Sequence, residues 1–407
     1  MINRIDNETN QQILANYRTT LSMTTTDTDQ FKEIRPYYDH EAHNVIQRII
    51  THPELIEAIC QFRFPQVHKS LGFLLRPLIR RKLKNQFSGI KNVYDFQAQI
   101  AAYMDRMIKT STDGFSVSGL DQLDMDKPYL FIANHRDIAM DPAFVNYALY
   151  LNGASTVRIA IGDNLLQKPY VSDLMRLNKS FIVKRSAKGI REMMKSLTEL
   201  SGYINHSLLE EKHSVWIAQK EGRAKDGIDY TDPAIIKMFF MSRKKKKDGP
   251  SFSDVMKELN IVPVTISYEY DPCDELKAKE LHTIATEGEY NKPEFEDIKS
   301  IVNGISDNKG QVHVHFSAPL SGDLEDAGAV AKKIDQAIYD NYQFYDSNWI
   351  ALDMLGGHEH LSGKPQISDA KRTAFTERLN SYPEAYRPYI LKMYANPILN
   401  SRGLISQ

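Results

Sequence analysis

The chain has 407 residues, 42% hydrophobic and 25% charged, with a formal net charge of −1. That composition fits an ordinary globular protein of one large domain with extensions, or of two or three smaller ones. The near-zero charge argues against a protein that wraps nucleic acid, which needs a basic excess. The two cysteines, Cys60 and Cys273, stand in no metal or redox spacing and make no disulfide framework, which suits a reducing compartment.

Residues 1–30 are polar, rich in Ser, Thr, Asp, Asn and Gln, and lack the apolar core of a signal peptide, so a poorly ordered start is expected. From 31 to 109 apolar residues recur at three- and four-residue spacing with few turn signals, which predicts a helical region. Within it, residues 68–84 combine Leu, Ile and Phe with Arg76, Arg80, Arg81 and Lys82, a pattern suited to lying on a membrane surface. The apolar run is far short of the roughly 18 to 20 residues that cross a bilayer. Pro77 interrupts it, so one helix or two short ones are both open.

Beyond Gly114 the texture changes. Short apolar runs at 115–120, 129–135, 157–162, 180–185, 214–219, 261–268 and 312–317 read as strands. Helical stretches at 142–151, 188–204, 231–241 and 330–341 alternate with them, which predicts an α/β domain over 110–345 with a mixed central sheet flanked by helices. Residues 346–407 read as a short C-terminal helical extension, reached through a linker-like stretch at 358–366.

Chemistry concentrates where the 129–135 strand ends in Asn134-His135-Arg136-Asp137, followed by Asp141-Pro142 at a helix start. Polar residues delivered at the C-terminal end of a strand stand where α/β folds place their sites. A histidine beside a carboxylate is held in one tautomer, leaving its other nitrogen free to take a proton. Plainer uses exist for each residue: Asp141 before Pro142 is a good helix cap, and Asp137 could cap a turn. His135-Arg136-Asp137 also matches the start of a kinase catalytic loop, but Pro142 stands where that loop needs Asn and no glycine-rich nucleotide loop precedes it.

Three further segments follow in order: Phe181 to Ser186 ending in Lys184-Arg185, the 215–227 stretch containing Lys220-Glu221-Gly222-Arg223-Ala224-Lys225, and the Pro263-containing strand at 261–269. Together with the first block, these resemble the glycerol-3-phosphate and lysophosphatidate acyltransferase superfamily, especially its glycerol-3-phosphate branch, over residues 110–340. The resemblance implies His135 as general base oriented by Asp141. It also implies substrate binding by Arg136, Lys184, Arg185, Glu221, Gly222, Arg223, Lys225 and Pro263. The reaction implied moves a fatty acyl group from acyl-CoA or acyl carrier protein to a hydroxyl of glycerol 3-phosphate or a lysophospholipid, without cofactor or metal; the same chemistry on another lyso-lipid or polar acceptor, or a non-catalytic lipid-binding protein of the same fold, stays open. The setting implied is peripheral, on the cytoplasmic face of a membrane.

The chain departs from the family pattern at three points. Five residues separate His135 from Asp141 where the family has four, which leaves Asp137 as an alternative partner. Matching Arg223 to the family arginine puts Lys220 where a glutamate is usual, whereas matching Glu221-Gly222 leaves Arg223 one residue early. Asn178-Lys179-Ser180 replaces the usual glycine of the second block. The pairs His313/His315 and His358/His360 have spacings a metal could use but lack further ligands nearby in sequence. The run Arg243 to Lys247 is a candidate lipid contact, a solvated loop or a clamp for carrier phosphates.

Overall fold

The computed structural model describes residues 29–405 except 65, 67, 245–248 and 357–360. The polar N-terminal stretch up to residue 28, His358/His360 and Lys245 to Lys247 therefore lie outside the described residues.

Four helices open the described chain: α1 (Asp39–Thr51), α2 (Pro53–Arg63), α3 (His68–Phe87) and α4 (Val93–Ser111). The third runs through Pro77 as one helix rather than two. Seven strands follow: β1 (Gly114–Ser118), β2 (Leu130–Ala133), β3 (Arg158–Gly162), β4 (Ser180–Val183), β5 (Val215–Ala218), β6 (Ile261–Tyr268) and β7 (Gln311–Phe316). Helices α5 (Met140–Leu151), α6 (Pro169–Leu177), α7 (Ile190–Leu209), α8 (Pro233–Phe240), α9 (Phe252–Glu258), α10 (Asp274–Glu287), α11 (Glu296–Ser306) and α12 (Ala327–Asp340) lie between or after them. The chain ends in α13 (Asp346–Leu355), α14 (Asp369–Asn380) and α15 (Arg387–Ser401).

The sheet order is β1-β7-β6-β2-β5-β3-β4. Five neighbouring strands, from β6 to β4, run parallel. β7 pairs antiparallel with β6 and parallel with β1, which makes the sheet mixed. The strands are short apolar runs because both faces are covered. Leu130, Ile132, Val215, Ile217 and Ile261 pack on one face against Tyr203 of α7, Phe239 of α8 and Ile334 of α12. Phe131, Ala133, Trp216, Val262, Val264 and Ile266 pack on the other against Met104 of α4 and Phe144 and Val145 of α5.

The alternation along a strand sends neighbouring side chains to opposite faces. In β6 this sends Val262, Val264, Ile266 and Tyr268 toward α5, and Pro263 to the other side. The C-terminal helices are more than a tail. Trp349, Phe375, Ile390, Tyr394 and Ile398 form an apolar core of their own, joined by Ala278 of α10.

Candidate active site

β2 leaves the sheet at Asn134, whose side chain copies a peptide group. Its Nδ2 donates to Ile266 O at 3.0 Å and its Oδ1 accepts from Ile266 N at 2.8 Å. That extends the β2–β6 ladder by one residue and fixes where His135 emerges. The residue is fully buried, so both polar ends need partners, and both have them.

His135 Nδ1 lies 2.8 Å from Asp141 Oδ2. The same oxygen accepts the backbone N–H groups of Arg136 at 2.6 Å and Asp137 at 2.9 Å. The Tyr268 hydroxyl donates to Asp141 Oδ1 at 2.6 Å. Burial opposes ionisation of Asp141, but donation from His135 and Tyr268 and from the turn's N–H holds its carboxyl below the ordinary value. An ionised acceptor at Nδ1 selects the tautomer with its proton there. His135 Nε2 makes no hydrogen bond among the described residues, and the side chain retains 15% exposure. Trp216 meets the imidazole edge-on, centroids 5.9 Å apart.

The longer His–Asp interval is thereby accounted for. Asp137 turns away from His135, and its Oδ1 caps α5 through the N–H groups of Ala139 at 2.9 Å and Met140 at 2.8 Å. Its other oxygen faces the backbone of α11: a Cβ on Gly304 would come within 2.3 Å of it. Burial and the charge of Asp141 raise the Asp137 carboxyl.

The residues expected to bind substrate divide sharply. Arg136 points inward, with Nη2 at 2.5 Å from Asp229 Oδ2 and 3.2 Å from Gly227 O, and its guanidinium faces the Tyr342 ring. A buried guanidinium paired in this way ties the turn to residues 227–229. Lys184 pairs with Glu199 at 2.8 Å, and Lys225 is spent on Glu280. Arg185 Nε approaches Glu221 Oε1 at 3.4 Å, an exposed pair joining the end of β4 to the loop after β5. Pro263 is buried mid-strand on the face opposite Tyr268.

Arg223 differs from these. Its neighbour Ala224 donates its N–H to His135 O at 2.8 Å, which places the loop against the His135 turn. Nη2 reaches Ser300 Oγ at 3.4 Å, and the buried Nη1 has no partner among the described residues. Gly222, at φ +78°, supplies the left-handed backbone that lets the loop double back. Lys220, in the position the family gives to glutamate, stacks on Tyr230 with Nζ 3.8 Å from the ring centroid.

Cys273 is a poor nucleophile. Burial and the nearby carboxylates of Asp271 and Asp137 push its thiol up to about 12. His313 hydrogen-bonds through both ring nitrogens to Ser116 and Ser118 of β1, and His315 through Nδ1 to Ser118.

Sequence reasoning missed Tyr268, Ser300, Asp229 and Lys277. Tyr268 was within reach, since it shares the Val264–Ile266 face of β6 by simple alternation. The others come from distant segments that only the fold brings together.

Residues 114–267 match the family model described as Acyltransferase. That stretch is similar to an acyltransferase domain. It spans β1 to β6 and includes His135, Asp141 and Arg223, while α10 to α15 lie outside the match. No curated protein matches the chain. Among solved structures, it is similar to the crystal structure of the 1-acyl-sn-glycerophosphate (LPA) acyltransferase PlsC from Thermotoga maritima. That similarity has 14% identity and a TM-score of 0.33, covering 74% of this chain and 91% of that one.

Proposed function

We propose that the protein transfers a fatty acyl group from a thioester to the hydroxyl of a phosphorylated glycerolipid precursor, glycerol 3-phosphate or a lysophospholipid. The observation that carries this is the His135–Asp141 pair, with Nε2 unengaged at the carboxyl edge of the sheet in a stretch similar to an acyltransferase domain.

In this reading His135 Nε2 takes the proton as the acceptor oxygen attacks the thioester carbonyl. The new C–O bond forms, the C–S bond breaks, and the imidazolium returns its proton to the departing thiolate. Asp141 stays ionised and stabilises the imidazolium formed between the two steps. A covalent acyl-enzyme is unnecessary, and the raised Cys273 thiol offers no route to one.

Arg223 supports a phosphate on the acceptor, because its buried Nη1 has no partner among the described residues and Nη2 only a long contact with Ser300, which suits an anion. The donor is acyl-CoA or acyl carrier protein. Peripheral contact with the cytoplasmic face of a membrane is supported by α3, where Phe73, Leu74 and Leu78 are exposed beside Arg80, Arg81 and Lys82. No helix among the described residues is long and apolar enough to cross a bilayer.

The test is thiol release from a long-chain acyl thioester with glycerol 3-phosphate, with lysophosphatidate and with no acceptor. Release that depends on a phosphorylated acceptor is expected. Equal release without acceptor would make the protein a thioesterase instead.

A further inference from the structure

The turn that carries His135 is gripped from outside the segment the family model covers. We propose that the C-terminal helices, acting with Lys277, position the catalytic histidine through two buried hydrogen-bonded routes that converge on Arg136. The proposal rests on the reading of His135 as the base.

The first route starts on α15. Asn396 Nδ2 donates to Asp226 O at 2.7 Å, and Asn400 Nδ2 to Asp229 O at 2.8 Å. Between these contacts the Met393 carbonyl lies so close to Gly227 that a Cβ there would meet it at 2.2 Å. Residues 226–229 are therefore seated on the helix by their backbone. Held there, they present the Gly227 carbonyl and the Asp229 carboxylate to the Arg136 guanidinium.

The second route starts from Tyr394 on the same helix. The Tyr394 hydroxyl accepts from Asp271 N and donates to Asp274 Oδ2, both at 2.9 Å. Arg378 and Tyr382 also bond to the Asp274 carboxylate, at 2.8 and 2.9 Å. This pins the entry to α10, where Asp271 pairs with the buried Lys277 ammonium. Lys277 Nζ then donates to Arg136 O at 2.7 Å.

Arg136 is thus tied at its guanidinium and its carbonyl by the extension, and at its N–H by Asp141 Oδ2. It is the residue next to His135, so its backbone fixes the direction in which the imidazole leaves the chain. The extension already has an apolar core in Trp349, Phe375, Tyr394 and Ile398 to hold it together. Buried ion pairs add little net stability compared with apolar packing, so convergence of these polar groups on one residue is better explained by geometry. A misplacement of about 1 Å at a reacting group can cost about a hundredfold in rate.

Two variants of the full-length chain test this. Asn396→Ala with Asn400→Ala removes both side-chain bonds to 226–229 and leaves the apolar contacts. Tyr394→Phe removes the hydroxyl of the second route and keeps the ring. Each is expected to lower kcat about 10- to 100-fold with KM changed less than about threefold. The proton resonance of His135 Nδ1–H, bonded to Asp141, should move or broaden in both variants. Should the double variant fail to fold, Tyr394→Phe decides alone. A kcat within about twofold of wild type in a folded variant would overturn the proposal. So would a loss of kcat that leaves the Nδ1–H resonance unmoved. The resonance is read without any substrate, so a wild type inactive in acyl transfer would refute the functional reading while leaving the positioning claim open to this test.

Discussion

Replacing Tyr268 with Phe removes a single oxygen from the support of the catalytic carboxylate. The hydroxyl donates to Asp141 Oδ1 at 2.6 Å, the length of a charge-assisted bond, between residues 5% and 0% exposed. The other donors to Asp141 all converge on Oδ2, so Oδ1 would be left buried with no donor among the described residues. Hydrogen bonds to charged groups contribute about 1.5–3 kcal/mol. The ring keeps its edge contact with Phe144 at 6.0 Å, so little packing is lost with the oxygen. Urea unfolding should therefore show stability lower by about 1.5–3 kcal/mol with an unchanged m-value. Freed at one oxygen, the carboxylate can rotate, and kcat should fall about tenfold with KM nearly constant, an effect of about 1.4 kcal/mol. A stability change below about 0.5 kcal/mol together with wild-type kcat would show that this bond does not anchor Asp141.

Burial raises the Asp335 carboxyl to about 6, although Thr231 donates to it through N and Oγ1 at 2.7 Å each. A folded-state value above the unfolded one means its contribution is full below about pH 4 and is lost as pH rises through 6. Asp335→Asn mimics the neutral acid, so its stability relative to wild type should climb by about 1–3 kcal/mol between pH 4 and 7. A flat difference in melting curves over that range would contradict this. Arg223→Lys should raise KM for a phosphorylated acceptor at least about tenfold while KM for the thioester stays constant, because an ammonium cannot make the bidentate contact. An equal rise for both substrates would place Arg223 elsewhere in the mechanism. Changing Phe73, Leu74 and Leu78 together to Ser should abolish most co-sedimentation with vesicles containing anionic lipid. Undiminished binding would move the membrane contact away from α3.

The sheet was legible because each strand is a short apolar run with turn chemistry at its end. Both faces of the sheet are buried, and that is what makes the runs continuous. The pairing of His135 with Asp141 was legible from their place between strand and helix, but the use of Asp137 was not. It depends on the path of one turn, in which Asp137 is consumed in capping α5. The fate of Arg136 was hidden for a different reason. Its partner Asp229 lies 93 residues away, and only the closure of the 226–229 loop on α15 brings the two together. Spacing could not reveal Glu199 and Glu280 as partners of Lys184 and Lys225. The C-terminal helices read as a tail because their apolar residues are spread over three segments. Their shared core exists only once α13, α14 and α15 have packed.

The central claim is that His135 acts as a general base toward an acceptor hydroxyl. The most direct measurement compares wild type and His135→Ala in thiol release from a long-chain acyl thioester, with and without the phosphorylated acceptor. The fold should survive, since the imidazole keeps some exposure and its backbone carbonyl still accepts from Ala224. Acceptor-dependent release should fall by roughly two to four orders of magnitude in the variant. Acceptor-dependent release that persists at the wild-type rate in a folded His135→Ala protein would contradict the account.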